Sequence, residues 1–392
     1  MPAGDDGAAA GAEDCAAGAA EAPPDPAGAA DAPGPVHAAA ARQTPSTIAV
    51  RDETRRDFIM RDGTHAMARR FSDVGDHDGV QPDGYELIDA GDGRRLERFG
   101  ALVVDRPSPS ADEPPRDADA WAGADLRFFR YAGWEPAAED VDPWRIELAG
   151  LTLELRATDT GQVGVFPEQA PNWQWLRRQV EARARTDAAT RVADERDEAE
   201  AAAAVPESRG SAAPSVLNVF AYTGVATLVA AAGGASVAHV DGSRPSVAWA
   251  RRNAELSGLE SAPVRWLVDD AEAFVARELR RGRRYDGFVL DPPSYGHAAG
   301  RGSWRLEERL EPLLRACADI ASRAPFVALT AHTPGFDGPR LAELIADTFR
   351  AQHRDIDAGD LTLSARSGAR LRLGSFARWP RSAAAAGAMI RG

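Results

Sequence analysis

The stretch YDGFVLDPPSYG, residues 285–296, contains an apolar run that ends in an acid and two prolines. Residues 288–290 predict a buried parallel strand, because parallel strands are covered on both faces. Neither proline can donate a ladder hydrogen bond, so the strand stops there. Asp291 and Tyr295 then lie at the carboxyl edge of a sheet, where open α/β folds bind ligands. A carboxylate beside an aromatic ring could hold a flat, amine-bearing group such as a nucleobase; alternatively, this is a plain strand end with Tyr295 packed for bulk.

The upstream sequence supplies the rest of a parallel sheet. Residues 216–220 predict a strand, followed by a turn at Gly224 and a helix over 225–232. A strand, a tight glycine turn and a helix entrance open a doubly wound nucleotide fold. Only one glycine stands where a dinucleotide fingerprint has three, which disfavours pyrophosphate binding. Further strands are predicted over 236–240, 264–268 and 325–330, with a helix over 245–257.

Four consecutive strands carry polar side chains towards one edge: Asn218, Asp241, Asp269 with Asp270, and Asp291. A single acid after a strand is ordinary, but four strands in order at α/β spacing indicate a ligand edge. The acid after the second strand can accept two ribose hydroxyls, and an acid after the third can accept an adenine amino group. The sequence therefore predicts a Rossmann-like, doubly wound α/β sheet with a ligand site along its carboxyl edge.

Composition divides the remainder of the chain. The first residues are Ala, Gly, Pro and Asp, too poor in apolar side chains to offset the entropy of ordering. Short alternating runs with turn signals at 91–93 and 149–150 predict antiparallel strands. The predicted parts are a disordered tail (1–45), an arm or short helix (46–80), a small β-rich domain (81–165), a covering element with a helix (166–185), a fraying helix continuing into an acidic linker (186–214) and the α/β domain (215–392). Trp121, Phe128, Phe129, Tyr131 and Trp134 are expected in the core of the β-rich domain.

The chain has 46 basic residues and all of them are arginine, which excludes a P-loop lysine and a Schiff-base lysine. With only two cysteines, Cys15 and Cys317, neither a disulfide framework nor a cysteine zinc site is expected, and no metal site is predicted. The net charge of −14 is uneven: residues 215–392 hold 23 arginines and 19 acids, whereas the rest holds 23 arginines and 41 acids. Overall charge therefore does not exclude an RNA partner. No apolar run approaches the ~20 residues of a membrane span and no secretory signal begins the chain, so a soluble cytoplasmic protein is expected.

The covering element is the sequence FPEQAPNW, residues 166–173, which leads into a predicted helix. Gln169 and Asn172 are neutral donor–acceptor groups at the helix entrance, suited to a zwitterion or a ribose. A helix cap with packing tryptophans is the alternative interpretation.

These motifs together resemble a known family. LNVFAYTG (217–224), HVDGS (239–243), NAELSGL (253–259), DPPSYG (291–296) and FPEQAPNW (166–173) are similar to the motifs of class I S-adenosylmethionine (SAM)-dependent methyltransferases. In particular they resemble the bacterial group related to the large-subunit (23S) ribosomal RNA methyltransferases, over roughly residues 85–379. In related enzymes the element before the catalytic domain helps to cover the methyl donor.

The resemblance implies a role for each matching residue. The methionine part of SAM would contact Asn218, Phe220, Tyr222, Thr223 and Gly224, with Gln169 and Asn172 covering it. Asp241 would hold the ribose, and Asp270 with Ala271 the adenine. Asp291, Pro292 and Pro293, with Tyr295, would border the methyl acceptor.

The chain also departs from the pattern of these relatives. Asn218 stands where many of them have an acid, which weakens a contact to the ammonium of the donor. Ser294 follows the prolines where amino-methylating enzymes often have an aromatic residue. Methylation at pyrimidine C5 normally needs a cysteine thiolate, and none stands beside Asp291 or after the fifth strand, so C5 chemistry is disfavoured. His332 and His297 are candidate bases, with structural roles as the alternative.

The leading hypothesis is a SAM-dependent methyltransferase acting on a base of ribosomal RNA. Arginines on the predicted carboxyl-terminal strands (Arg366, Arg370, Arg372 and Arg378) would contact phosphates or form a solvated strand face. The alternatives are methylation of a small molecule or protein, a nicotinamide-dependent oxidoreductase, and a silent RNA-binding module, since the sheet serves many functions. The silent module is distinguished by the variant Asp291→Ala, which would then change nothing measurable.

Overall fold

The computed structural model describes residues 84–141, 143–200, 213–297 and 303–380, with backbone only at 187–200, His297 and Ser303. The predicted tail (1–45) and arm (46–80) lie outside these residues, as does part of the predicted linker (201–212). None of the helices in this part of the chain combines the length and apolar character needed to cross a membrane.

The first half of the described chain is β-rich. Five strands form one sheet in chain order: β1 (Tyr85–Gly91), β2 (Arg94–Phe99), β3 (Leu102–Pro107), β4 (Leu126–Phe129) and β5 (Gly133–Glu135). β6 (Trp144–Leu148) and β7 (Leu151–Leu155) form a separate hairpin. Asp92 and Gly93, and likewise Ala149 and Gly150, have positive φ, the geometry of tight hairpin turns.

The predicted core of this domain is partly wrong. Phe128 and Trp134 are buried and pack edge to face, and Trp121 is half-buried. Phe129 is 37% exposed and Tyr131 is 97% exposed. The reason is alternation: Phe129 follows Phe128 on β4 and therefore points to the other face, where the Arg94 guanidinium covers its ring, while Tyr131 lies in the turn before β5.

The second half is the predicted doubly wound sheet. Its elements in chain order are α1 (Ala170–Glu200), β8 (Ser215–Val219), α2 (Val225–Ala232), β9 (Ser236–Asp241), α3 (Arg244–Leu256), β10 (Val264–Val268), α4 (Ala271–Arg280), β11 (Tyr285–Leu290), β12 (Tyr295–His297), β13 (Ser303–Arg305), α5 (Leu306–Asp319), β14 (Ala321–Ala331), α6 (Gly338–Phe349), β15 (Asp357–Ser364) and β16 (Arg370–Trp379). The sheet order is β10-β9-β8-β11-β14-β16-β15, parallel from β10 to β14, with β16 and β15 antiparallel. The strand order reverses between β8 and β11, so the crevice between them is the expected ligand position.

Helices cover both faces of the sheet. Apolar residues of α4, α5 and α6 form a core against β8, β9, β11 and β14, and Trp175 and Leu176 of α1 pack with α2 against the other face. Cys317 is buried in α5. Helix α1 continues past Arg185 to Glu200, the last residue described before position 213, through the stretch where the sequence analysis predicted a fraying helix. The extension consists mainly of Ala, Glu, Asp and Arg, and Ala, Glu and Arg are strong helix formers.

Candidate active site

The turn after β8 places backbone groups at the switch point. Phe220 and Tyr222 adopt positive φ (58° and 48°), which is uncommon for residues with side chains, and Gly224 has φ 86°. A Cβ atom on Gly224 would lie 2.8 Å from the Cβ of Ala250 in α3. Glycine is therefore required here by both conformation and space.

Contacts from two other segments hold this turn. Thr223 Oγ1 donates to the carbonyl of Gly164 (2.6 Å), in the connection before α1. Asn253 Nδ2 of α3 donates to the carbonyl of Thr223 (3.0 Å). The glycine turn is thus bonded both to the connection just before the covering element and to α3.

Asn218 begins a buried polar chain below the turn. Its Nδ2 donates to Thr227 Oγ1 (2.9 Å), and Thr227 Oγ1 lies 2.9 Å from His239 Nδ1. Thr227 Oγ1 accepts from Asn218 and can either donate to His239 Nδ1 or accept from it, depending on the tautomer of the ring. Burial lowers the pKa of His239 to about 3. The side-chain nitrogen of Asn218 is therefore committed within the protein.

The acids after β9 and β10 have partners in the protein but retain free acceptor positions. Asp241 accepts from the backbone N–H of Tyr222 and of Ser243, each at 2.8 Å. Burial, opposed by these two bonds, raises its pKa. Asp270 caps α4 by accepting from Ala273 N (2.8 Å). Each carboxylate has two oxygens with several lone pairs, so these contacts leave room for a ligand.

Asp291 is the most densely bonded of the predicted residues. Its Oδ1 accepts from Thr330 Oγ1 (2.5 Å) and from His332 Nε2 (3.1 Å), and its Oδ2 accepts from Gln169 Nε2 (3.1 Å). Burial opposes its charge, but the His332 cation and these bonds outweigh it and hold the pKa of Asp291 below its usual value. His332 and Thr330 come from β14 and the residue after it, the strand next to β11.

His332 is held as a cation. Its Nδ1 lies 2.8 Å from the carbonyl of Leu373, an acceptor only, and its Nε2 faces Asp291. Both ring nitrogens therefore carry protons. Burial works against the cation, but Asp291 prevails and raises the pKa of His332 to about 9. In this arrangement His332 has no free nitrogen to act as the base considered in the sequence analysis.

Gln169 and Asn172 line the cavity and also make contacts within the protein. Gln169 Nε2 is used by Asp291, and Gln169 Oε1 accepts from Asn172 Nδ2 (2.8 Å). The covering element therefore bonds to the acceptor motif itself. Sequence reasoning did not find this link because the two residues are 122 positions apart.

The sequence-predicted residues surround one cavity of about 1270 Å³. Its lining includes Gln169, Asn172, Asn218, Phe220, Tyr222, Thr223, Gly224, Asp241, Asp270, Ala271, Asp291, Pro292 and Pro293. Tyr295 is not part of the lining: it is 53% exposed on β12. The Pro293 carbonyl accepts from Trp304 Nε1 (2.7 Å).

Sequence reasoning missed three charged residues of the cavity wall: Glu168, Arg95 and Arg277. Glu168 and Arg95 are buried. Glu168 directly precedes Gln169, a signal that was available, whereas nothing in the sequence around Arg95 points to a site in the other domain. Cys317 does not line this cavity, and burial raises the pKa of its thiol. Among the described residues, no group of three or more His, Cys, Asp or Glu is placed to hold a metal ion.

The arginines of the carboxyl-terminal strands are largely engaged with acids. Arg372 lies 2.8 Å from Asp360, Arg378 pairs with Asp357, and Arg366 lies 3.6 Å from Glu86. Arg370 is exposed. These strands therefore present a mixed charged face rather than a row of unpaired cations.

Comparison with known proteins identifies the family. No protein-family model matches the chain. Short segments are similar to ribosomal RNA large subunit methyltransferase K of Neisseria meningitidis (39% identical over 83 residues, 21% of this chain and 23% of that protein). They are also similar to ribosomal RNA large subunit methyltransferase I of Aeromonas salmonicida (35% over 106 residues, 27% of this chain and 26% of that protein). The chain thus spans about a quarter of the length of these two curated relatives.

Two solved structures match at the level of the whole fold. The structure of SMU.776 complexed with S-adenosylhomocysteine (SAH) covers 80% of this chain and 79% of its own, at 17% identity and a TM-score of 0.53, which supports the fold. The crystal structure of the SAM-dependent methyltransferase from Agrobacterium tumefaciens is 34% identical, covers 78% of this chain and 92% of its own, and has a TM-score of 0.64. With the sheet order, the glycine turn and the strand-end acids already in place, this similarity shows that the chain belongs to the SAM-dependent methyltransferases.

Proposed function

We propose that the chain methylates a base of structured RNA, ribosomal RNA in particular, and that the acceptor binds at Asp291. The observation that carries this proposal is the Asp291 carboxylate, held ionised by Thr330, His332 and Gln169 on the wall of the cavity. An ionised carboxylate can accept a hydrogen bond from an N–H group of a base and fix its orientation. The names of the rRNA methyltransferase relatives support RNA as the acceptor class.

The residues along the strand ends fit SAM as the donor. Asp241 has acceptor positions for the ribose, Asp270 and Ala271 stand at the adenine position, and the backbone of the Gly224 turn faces the same cavity. When bound, SAM supplies a methyl group on a sulfonium that is already a good leaving group. The protein then needs mainly to align the acceptor and exclude water.

Each residue around Asp291 contributes to that alignment. His332 and Thr330 fix Oδ1, and Gln169 fixes Oδ2, so the carboxylate cannot rotate away from an acceptor. Because His332 is doubly protonated, it maintains the charge of Asp291 and does not remove a proton. A base within RNA must be unpaired or extruded to reach this half-buried carboxylate on the cavity wall.

The test uses isotope-labelled SAM and ribosomal RNA from a strain in which the gene is deleted. We expect label in the RNA with the wild-type protein, and about a 100-fold lower rate with Asp291→Asn, the size of loss typical for a positioned catalytic group. Asp347→Asn, an exposed acid on α6, is the matched control and should keep the wild-type rate.

The possible results separate the parts of the proposal. Label in RNA that is insensitive to Asp291→Asn would remove Asp291 from the acceptor site. SAM binding without label in naked RNA or in assembled ribosomal subunits would overturn RNA as the acceptor. Label in a protein or small-molecule fraction would then establish the alternative acceptor class.

A further inference from the structure

Arginines are concentrated at the end of α4 and in the turn that follows it. Residues 277–284, RELRRGRR, hold five arginines and one glutamate. The C-terminus of a helix favours cations in its last turn, which accounts for Arg277 and Arg280. Arg283 and Arg284 lie beyond the end of the helix. The positive charge of this segment therefore exceeds what the helix end explains.

Arg265, on the edge strand β10, joins this segment to the active-site cavity. The Cζ atoms of Arg265 and Arg277 both lie 5.8 Å from the centroid of the Phe274 ring. Arg277 lines the active-site cavity. Arg265 lines a second cavity, of about 220 Å³, together with Arg283 and Arg284. The arginines therefore extend from one cavity to the other.

The second cavity lies at the opposite edge of the sheet from the active site. Its lining includes Ser215, Ser236 and Tyr285, the first residues of β8, β9 and β11. Helix α4 leads from the carboxyl edge to this amino edge, because it connects the end of β10 to the start of β11. The α4 track is the name used below for six arginines: Arg265, Arg277, Arg280, Arg281, Arg283 and Arg284.

The acids beside the α4 track balance only part of its charge. Glu278 is fully buried and lies 3.2 Å from Arg265 Nη1 and 3.1 Å from Arg281 Nη1. One carboxylate therefore serves two guanidinium groups. Arg277 pairs with Asp269.

The other half of the track has no acidic partner within 4 Å among the described residues. These arginines, Arg280, Arg283 and Arg284, are all exposed. Arg284 donates to the carbonyl of Asp319, which is a neutral acceptor, so its charge stays unbalanced. The carboxyl-terminal strands differ, because most of their arginines pair with acids. Cations held close together repel one another, so the α4 track favours the binding of an anion.

The chemistry of the side chains indicates phosphate. A guanidinium group matches the geometry of a phosphate and can bond it with two N–H groups. Arginines that extend from one cavity to another fit a strand with several phosphates better than a single small anion. We propose that the α4 track binds backbone phosphates of the RNA whose target base enters the active-site cavity; this rests on the proposed function, which takes RNA as the acceptor. Contacts to phosphates hold the strand but do not select the base.

The first test measures methylation of ribosomal RNA with isotope-labelled SAM by the double variant Arg280→Gln/Arg283→Gln. We expect the KM for RNA to rise roughly 10-fold at about 0.15 M salt, the effect of losing two phosphate contacts. The kcat should not change, because neither residue lines the active-site cavity. Arg354→Gln, an exposed arginine outside the track, is the matched control and should keep both values. An unchanged affinity for SAH, measured by calorimetry, shows that the double variant is folded.

The second test measures the binding of a fluorescein-labelled oligouridylate at several salt concentrations by fluorescence anisotropy. Each phosphate contact to a single strand contributes about 0.7 to the slope of log K against log salt. The slope should therefore be smaller by about 1.4 in the double variant and unchanged in Arg354→Gln. Weaker binding with an unchanged slope would mean that these arginines contact no phosphate, and would overturn the inference.

The kinetic results separate this inference from the proposed function. An unchanged KM in the double variant, with RNA labelled by the wild type, would overturn the α4 track and leave the proposed function intact. A lower kcat at unchanged KM would also overturn it, because the loss would then lie in the chemistry or the fold. Absence of label in RNA with the wild type would overturn the proposed function and the track with it. Lost binding of polyglutamate with retained binding of oligouridylate would make the track a docking surface for an acidic protein instead.

Discussion

At the scale of single residues, the Asp291–His332 pair decides what chemistry the site can perform. His332 donates from both nitrogens, one to Asp291 and one to the Leu373 carbonyl. A ring in this state is a fixed positive charge that stabilises the carboxylate. A general base would instead need a free lone pair on nitrogen.

This arrangement predicts an unusual titration. The pKa of His332 is raised to about 9, so the ring stays charged at neutral pH and loses its proton only as the pH rises through that value. The His332 cation therefore contributes fully to the stability of the folded state below pH 6.5, the ordinary pKa of histidine. This contribution is lost as the pH rises through about 9. We expect the His332 ring to titrate near pH 9 by NMR, and near or below 6.5 in Asp291→Asn. A wild-type midpoint near 6.5 would contradict the charged pair and restore His332 as a candidate base.

The sequence identified the members of this pair but not their contact. Asp291 stood out because an acid and two prolines follow an apolar strand. His332 follows another strand 41 residues later, and only the neighbouring positions of β11 and β14 bring the two together. Strand order is a long-range property that a single sequence does not display. Tyr295 shows the converse, since its place next to the motif in the sequence does not bring it into the cavity lining, and its role at the acceptor stays a prediction.

At the scale of elements, the connection from β7 to α1 determines where the covering element lies. Gly164 in this connection has φ 97°, and its carbonyl accepts from Thr223 of the glycine turn. A Cβ atom at this position would lie 2.3 Å from the ring of Trp249, which is itself fixed by a bond to the Glu154 carbonyl. The position therefore cannot accommodate a side chain without displacement of the segment.

We expect Gly164→Ala to lower the free energy of unfolding by about 2–4 kcal/mol, through the left-handed backbone and the overpacking together. Gly93→Ala is the matched control, because Gly93 also has positive φ (75°) but open space around it. Gly93→Ala should lower the free energy of unfolding by about 1–2 kcal/mol, from the left-handed backbone alone. Urea unfolding measures both, and SAH titration should show weaker binding for Gly164→Ala only. Equal losses in the two variants would mean that the contact with Trp249 has no energetic weight.

Elements with strong local signals were predictable from the sequence. Helix α2 begins and ends where the pattern predicted, because a glycine turn precedes it and glycines follow it. Strands β9 to β11 are apolar runs that end at or directly before an acid. Helical backbone beyond Arg185 agrees with the helix predicted there, because helix propensity continues α1 after the apolar periodicity is lost.

At the scale of the whole molecule, the β-rich domain and the carboxyl-terminal hairpin are joined. The backbone N–H groups of Arg366 and Ser367, at the turn between β15 and β16, donate to the carbonyls of Leu87 and Ile88 in β1. Apolar residues of both parts share one cluster: Leu87, Ala90, Ala111, Ala365, Ala369 and Leu371. Since Leu373 of the same hairpin also bonds His332, the joint extends from the β-rich domain to the active site.

Asp89 is the polar centre of this joint. It is fully buried and accepts from Arg116 N (3.0 Å), Asp117 N (2.9 Å), Trp121 Nε1 (2.9 Å) and Ser367 Oγ (2.6 Å). Burial opposes its charge, but the bonds from Ser367, Trp121 and the backbone prevail and lower its pKa. The carboxylate thus connects the β-rich domain to the hairpin most strongly while it is ionised.

We expect Asp89→Asn to destabilise the protein by about 3 kcal/mol at pH 7, because an amide NH₂ would face donors that need a charged acceptor. Asp112→Asn changes an exposed acid in the same loop region and should leave the free energy of unfolding unchanged. Because the folded-state pKa of Asp89 lies below 3.8, its contribution is present above that pH and is lost as the pH falls through the folded-state pKa. Urea unfolding at pH 7 and at lower pH should therefore show a difference in the free energy of unfolding between wild type and Asp89→Asn. This difference should become smaller only in acid. A difference in the free energy of unfolding that does not depend on pH would mean that packing, and not the charge of Asp89, holds the hairpin against β1.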